Sequence, residues 1–293
     1  MTCELSQRLI TLLFLLPTVI ILLLVGIIPL FPVIWESLHM HIVAAQAKPI
    51  FIGLDNFKKV VTDADISYYF GITFLLTAVA LIIQIPLGLG IALMLVRKFK
   101  GREIFQTLFA LPLGIAPIAV GCIWVLVLRP EVGPLPRFLS LFGINFDYMA
   151  SFWSAFTAIL LMNTWRWTPF VTLALLPALV SIPPDILDAS RVDGAGFGQV
   201  LRHIILPMIK IPVVTVVFIR LMDTISIFDE VWILTGGGPG WSTRFISIDI
   251  VRRVIFETDY GMGSALSLVV LYMTITLCWI MLAILKGGKL TEG

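Results

Sequence analysis

Six stretches of this chain, residues 9–35, 68–96, 104–128, 152–180, 204–234 and 263–285, are long and apolar enough to cross a bilayer. A crossing helix needs about 20 apolar residues. Hydrocarbon offers no hydrogen-bond partners, so a spanning segment must satisfy its own backbone, and runs of this length do so as helices. The expected fold class is therefore all-α: a polytopic membrane helix bundle with about six transmembrane helices, forming a single transmembrane domain over residues 1–293. Composition agrees, since 59% of residues are hydrophobic and 13% charged, whereas soluble domains average about 45–50% apolar. The first run exceeds the roughly 7–15 residues of a secretory signal core, so it is read as a retained span.

An even number of spans returns both termini to one side. The turn "RKFKGR" after the second span carries four basic residues in six, and "KGGK" follows the sixth. The positive-inside rule makes both cytoplasmic, which predicts a multi-pass inner-membrane protein with both termini inside. Lys48, Lys58, Lys59, Arg129, Arg137, Arg244, Arg252 and Arg253 fall in the opposite loops, so the orientation rests on the charge density of the short turn. Pro17, Pro29 and Pro32, then Pro86, Gly88 and Gly90, then Pro112, Gly114 and Pro117 predict kinks in the first three spans. Such residues are tolerated where neighbours or water take up the freed backbone groups. A net charge of +2 gives no argument for nucleic acid, whose partners concentrate basic patches. Cys3, Cys122 and Cys278 are too scattered for a disulfide framework.

One loop interrupts the apolar pattern. Residues 188–207 read "DASRVDGAGFGQVLRHIILP", and in this topology residues 181–203 face the cytoplasm. Pro183 and Pro184 suit the start of a helix, and Asp185 places a negative charge near its positive end. The expectation is a short helix from Pro184 to Val192. Gly194 then supplies a residue free to take positive φ, and "FGQVLRHI" starts a second helix leading back into the membrane. The product is an L-shaped elbow. A plain connection needs only a few residues, so an elaborate one suits a docking surface; the alternative is an interfacial helix resting on headgroups.

The spacing in this loop resembles the signature of permease subunits of bacterial ABC importers: Glu-Ala-Ala, three residues, Gly, nine residues, Ile, any residue, Leu-Pro. Here it reads Asp188, Ala189, Ser190, then Gly194, then Ile204, Leu206 and Pro207. Asp193, Gly194 and Ala195 also look like the commonest form of that loop, whereas Asp188 and Ser190 depart from it conservatively. The resemblance implies a type I ABC importer permease architecture in which residues 181–207 form a coupling-helix loop. Asp188, Ala189, Ser190, Asp193, Gly194, Ala195 and Gly196 would then contact a cytoplasmic ATPase. Further stretches, "GLDNF" (53–57), "NTWRWTPF" (163–170), "FIRLMDTISIFDEVWI" (218–233), "LTGGGPGWST" (234–243) and "YGMGSALS" (260–267), resemble the carbohydrate branch, maltose- and trehalose-type, first of two permeases.

What this implies is a transport subunit, not an enzyme, moving a sugar, a di- or oligosaccharide, by alternating access. Its implied partners are a second permease, two ATP-binding cassette subunits, an extracytoplasmic solute-binding protein and the lipid bilayer. No cofactor is expected on this chain. It lacks a Gly-x-x-x-x-Gly-Lys-Ser/Thr run, so ATP and Mg would belong to the partner ATPase subunits. The glycines of 234–243 lack that lysine and hydroxyl and read as a tight turn.

Polar side chains inside a bilayer are costly and mark partners or water-filled routes. At about 100° per residue, Asn163, Arg166, Trp167 and Phe170 share one face of the fourth span. On the fifth, Asp223, Ser226 and Glu230 group with Arg220 and Thr224, leaving Asp229 nearly opposite. Two readings stand: these stripes line a sugar path, or Arg220 pairs with Asp223, and Arg166 with Glu230 or Asp223, for structural reasons. Gln84 is expected to satisfy the backbone kinked at Pro86, and His203 to anchor the elbow to headgroups. His39 and His41 lack further metal ligands, and no metal site is expected. Three rivals remain open: an ion-coupled secondary transporter using Asp223 or Glu230, a membrane enzyme, and a permease for a polyol or glycerol phosphate, which Arg166 would suit.

Overall fold

The computed structural model describes residues 13–44, 48–97 and 99–287, without the side chains of 284–287. Cys3, residues 9–12 of the first apolar run, Lys98 and the side chains of "KGGK" lie outside the described residues. The packing divides into two compact units, residues up to 67 with 249–273, and 68–248 with 274 onward.

In the first unit, α1 (Leu13–Ser37) is followed by a small antiparallel pair, β1 (His39–Met40) and β2 (Ile50–Phe51), in which His39 faces Phe51. Next comes α2 (Asp55–Thr62). Asn56 of "GLDNF" ties these together, because its buried amide donates to the carbonyls of Ser37 and His39, each at 2.9 Å. Gly261 of "YGMGSALS" sits against the same strand, where a Cβ would come within 2.2 Å of the His39 carbonyl oxygen.

The second unit is built on long helices. α3 (Ala64–Val96) has 33 residues, about 50 Å at 1.5 Å per residue, and Pro86 does not break it. It is followed by α4 (Arg102–Gly114), α5 (Pro117–Leu128), α6 (Pro134–Ser140) and α7 (Phe152–Val180). A reciprocal serine cap starts α7: the Ser151 hydroxyl accepts from Ser154 N at 3.2 Å, and the Ser154 hydroxyl accepts from Ser151 N at 3.0 Å. Then come α8 (Pro184–Val192), α9 (Phe197–Met208), α10 (Lys210–Ile225) and α11 (Asp229–Thr235); α12 (Ile246–Val251) and α13 (Tyr260–Gly287) each have residues in both units.

Two of the expected spans are not single helices. Residues 104–128 turn through 101° between α4 and α5. Pro117 holds Ala116 in an extended conformation, φ −58° and ψ 140°, because its ring clashes with a helical predecessor. Residues 204–234 form three pieces. A 75° bend separates α9 from α10, where Pro212 sits in the first turn of α10 and would obstruct a helix running through from Met208. α10 then stops at Ile225, and the freed carbonyl of Ile227 accepts from the Ser247 hydroxyl instead. Counting each bent pair once, the described residues hold helices long and apolar enough for up to six crossings.

Two apolar clusters flank the middle of α7. Leu76, Ile159, Met162, Val231 and Phe245 form one; Ala92, Val171, Leu175, Ile205, Ile209 and Val216 form the other. Between them, α3 and α7 approach closely: a Cβ on Gly88 would lie 2.5 Å from Val171 Cγ1, and Thr172 donates its hydroxyl to the Gly88 carbonyl at 3.1 Å. Gly90 has open space around it. Gly88→Ala should therefore destabilise the purified protein by about 1–3 kcal/mol through overpacking, while Gly90→Ala, with the same gain in helix propensity, should be neutral or stabilising. Thermal unfolding of both variants in detergent checks this.

Candidate functional site

The gap between the two apolar clusters is filled by a polar layer. Helical spacing of three and four residues puts Asn163, Arg166 and Trp167 on one face of α7, and Arg220, Asp223 and Thr224 on one face of α10. Gln84 enters from α3 and Glu230 from α11. Arg220 is the hub, with no exposed surface. Its Nε donates to Gln84 Oε1 at 3.0 Å, one Nη to Asp223 at 2.5 Å, and the other to Asn163 Oδ1 at 2.9 Å and Thr224 Oγ1 at 3.0 Å. Gln84 Nε2 closes the ring by donating to Asn163 Oδ1 at 2.8 Å. The Arg220 guanidinium also lies 4.3 Å from the Trp167 ring centre, a cation–π distance.

A second ion pair completes the layer. Arg166 donates to Glu230 at 2.6 Å, and both side chains are nearly buried. The break after Ile225 makes this possible, since α11 is a separate helix that can aim Glu230 at α7. Two arginines face two carboxylates, so the layer is formally neutral, as burial of charge in a low-dielectric interior requires. The structural pairings anticipated for Arg220 with Asp223 and Arg166 with Glu230 are thus both formed.

Satisfaction is uneven across the layer. Asn163 Nδ2, Arg166 Nε and Trp167 Nε1 are buried and have no hydrogen-bond partner among the described residues. All three are donors, and all belong to α7. Phe170 extends this face, its ring edge-on to Trp167 with centroids 5.9 Å apart. Asp223 is half-buried, whereas Ser226 is exposed at the end of α10 and Asp229 is exposed on α11. Ser226 therefore stands apart from the layer in which Glu230 takes part. Gln84 does not serve the backbone at Pro86; both ends of its amide are used by Asn163 and Arg220. Its sequence signal was an uncharged polar residue in a 33-residue apolar helix, for which the neighbouring Pro86 offered a local explanation.

The elbow is as expected. α8 runs from Pro184 to Val192 at 78° to α7, and Gly194 has φ +75°. Ser190 is buried, donating to the Leu187 carbonyl at 2.7 Å, while its own carbonyl accepts from Ala195 N at 2.9 Å. A small side chain is required there. Gly196 N donates to Gln199 Oε1 at 2.8 Å and starts α9. Asp188, Ala189, Asp193, Gly194 and Gly196 are exposed and Ala195 is half-buried. Asp188 pairs with Arg191 at 2.7 Å, and Val192 and Phe197 present bare apolar surface, 87% and 68% exposed. His203 Nδ1 is 3.1 Å from the Gln199 carbonyl. His41 contacts Glu36 at 2.7 Å and His39 the Trp35 carbonyl at 2.6 Å; no cluster of metal ligands occurs among the described residues.

Apolar crossings, a neutral polar layer at mid-helix and a rigid helical elbow projecting from one crossing define a polytopic membrane transport subunit. Residues 84–286 match the family described as binding-protein-dependent transport system inner membrane component, and the chain belongs to that family of multi-pass ABC importer permeases. It is 32% identical over 271 residues, 92% of this chain and 91% of the other, to the trehalose/maltose transport system permease protein MalF of Thermococcus litoralis. It is 28% identical to the trehalose transport system permease protein SugA of Mycobacterium tuberculosis, covering 91% of this chain and 85% of that one. A chain of a bacterial alginate ABC transporter, solved with an alginate pentasaccharide-bound periplasmic protein, has the same fold: TM-score 0.80 at 22% identity, over 95% of this chain and 94% of that one.

Glu230→Gln leaves the Arg166 charge buried without its counter-ion. The expected cost is about 3–5 kcal/mol. The double variant Arg166→Leu/Glu230→Leu should be markedly more stable than the sum of its single changes, and a double-mutant cycle by denaturation in detergent checks this.

Proposed function

We propose that this chain is one of two permeases of an ATP-driven, binding-protein-dependent sugar importer, working as a single transmembrane domain with both termini cytoplasmic. The observation that carries the solute assignment is the α7 face. Three buried donors without partners among the described residues, on Asn163, Arg166 and Trp167, lie beside the Trp167 and Phe170 rings. A sugar matches this combination, since hydroxyl and ring oxygens accept from the donors while the apolar ring face stacks on an aromatic one. The relatives named for trehalose and maltose transport support a disaccharide-sized solute. Asp223, Glu230 and Ser226 would bound the route from the other side.

The elbow is assigned to the motor. Asp188, Ala189, Ser190, Asp193, Gly194, Ala195 and Gly196 would seat in a groove of an ATP-binding cassette subunit, with Val192 and Phe197 as the apolar contact. ATP and Mg act there, on the partner chains. Closure of the ATPase pair drives the permease only if the elbow binds the closed and open pairs differently; its small buried Ser190 and the turn at Gly194 make it stiff enough to pass on that difference. An extracytoplasmic solute-binding protein delivers the sugar to the outward-open state, and hydrolysis resets the cycle.

In proteoliposomes holding all subunits, uptake of labelled trehalose or maltose should need ATP and survive collapse of proton and sodium gradients. Asn163→Ala and Trp167→Ala should each lower uptake by about tenfold or more, the loss of a hydrogen bond or stacking contact worth roughly 1.4 kcal/mol or above, while binding-protein docking is unchanged. Gly194→Val, which forces a β-branched residue to positive φ, should instead abolish solute-stimulated ATP hydrolysis. Undiminished uptake in both α7 variants would remove the site assignment; undiminished ATPase coupling in Gly194→Val would remove the elbow assignment.

A further inference from the structure

Gln84 sits in the apolar run "LIIQIPLGLG" (81–90) of α3 with no exposed surface, and the polar layer uses both ends of its amide. A guanidinium donates hydrogen bonds and never accepts them, so any amide atom that faces Arg220 must be an oxygen. Arg220 Nε lies 3.0 Å from Gln84 Oε1, which turns the Gln84 nitrogen to Asn163. One Arg220 Nη lies 2.9 Å from Asn163 Oδ1, and the Gln84 nitrogen donates to that same oxygen at 2.8 Å. Each amide therefore has one permitted orientation. Turning Asn163 over would set its nitrogen against two donors.

The consequence falls on the atom that the network does not hold. Asn163 Nδ2 is buried, has no partner among the described residues and can only donate. Arg166 Nε and Trp167 Nε1, the other buried atoms without such a partner on this face of α7, are donors too. A solute that meets all three must bring lone pairs to each.

We propose that Gln84 is a positioning residue for solute recognition: with Arg220 it clamps the oxygen of Asn163, so that α7 presents the Asn163 nitrogen and the face selects oxygens that accept. This deepens the sugar reading and rests on Asn163 meeting the solute. Sugar hydroxyls are then held through their lone pairs rather than their protons, in the same way as ring and glycosidic oxygens. Gln84 touches no solute, since both ends of its amide are spent inside the layer. An amide that served only to satisfy the buried Arg220 cation would add stability and leave recognition alone.

The test measures affinity for whichever of labelled trehalose and maltose the parent carries, in the assembled transporter held with a non-hydrolysable ATP analogue, after subtracting what the soluble binding protein alone retains. Asn163→Ala should weaken binding about tenfold, and Gln84→Met, which keeps the volume and loses both hydrogen bonds, about fivefold. The double variant should be no weaker than Asn163→Ala alone, because two residues that act through one contact are not additive. Thr172→Val removes another α3–α7 hydrogen bond, that to the Gly88 carbonyl; it should lower thermal stability and leave binding intact. Undiminished binding in Gln84→Met overturns the proposal. So does a loss in the double variant equal to the product of the single losses, about fiftyfold, or a loss in Thr172→Val equal to that in Gln84→Met. Undiminished binding in Asn163→Ala, or none in the parent, instead removes the sugar reading beneath it. Should Gln84→Met misfold, the parent protein carries the decision with altered ligands. A deoxyfluoro sugar, whose fluorine accepts but cannot donate, should bind better than the matching deoxy sugar at one or more hydroxyl positions, and equal losses at every position overturn the proposal.

Discussion

The Arg220 guanidinium is the interaction on which the middle of this protein depends. A fully buried cation is tolerated only where its nitrogens meet acceptors, and here side chains from α3, α7 and α10 supply one or more to each: Gln84, Asn163, Asp223 and Thr224. The consequence is geometric. Three helices that are otherwise apolar, and that hydrocarbon alone would let slide, are held at one mutual height, because moving any of them by one residue would strand a buried charge. The close approach at Gly88 and Val171 works in the same direction, on the next turn of the same helices.

That fixation separates two kinds of polar residue. The α10 stripe is satisfied internally: Arg220 has four partners, and Asp223 and Thr224 are two of them. The α7 stripe is half satisfied. Asn163 uses its oxygen to accept from Gln84 and Arg220 but leaves its nitrogen free, Arg166 spends one Nη on Glu230 and leaves Nε free, and the Trp167 indole has a cation against its ring and nothing on its nitrogen. Unmade donors in a buried position each cost roughly 1–3 kcal/mol. A structure that gives each Arg220 nitrogen a partner while leaving these donors on one face is the ground for proposing that this face meets a ligand.

How much of this was legible in the sequence depended on the range of the interaction. The elbow was legible to the residue, because Pro184, Asp185, Ser190 and Gly194 act on their own backbone within a turn or two. The lengths of α3 and α7 were legible because burial in a bilayer demands long uninterrupted apolar helices. The bend at Ala116 was foreshadowed by Pro112, Gly114 and Pro117; the breaks at Ile209 and Ser226 were not, since hydropathy averages over direction and a bent pair scores like a straight helix. The partner of Gln84 was hidden for another reason: Asn163 is 79 positions away, and a nearby proline offered a local explanation that the packing did not need. The stripes themselves were visible, but not which of them would be internally paid in hydrogen bonds.

The account turns on the α7 face lining a water-filled route that opens to one side at a time. The most direct measurement is thiol accessibility at Phe170→Cys in the assembled transporter, with Cys3, Cys122 and Cys278 replaced by serine. A membrane-impermeant maleimide added from the outside should label this cysteine rapidly when a non-hydrolysable ATP analogue holds the motor closed, and slowly without nucleotide. Labelling that is negligible in both conditions, or identical in both, would contradict the account.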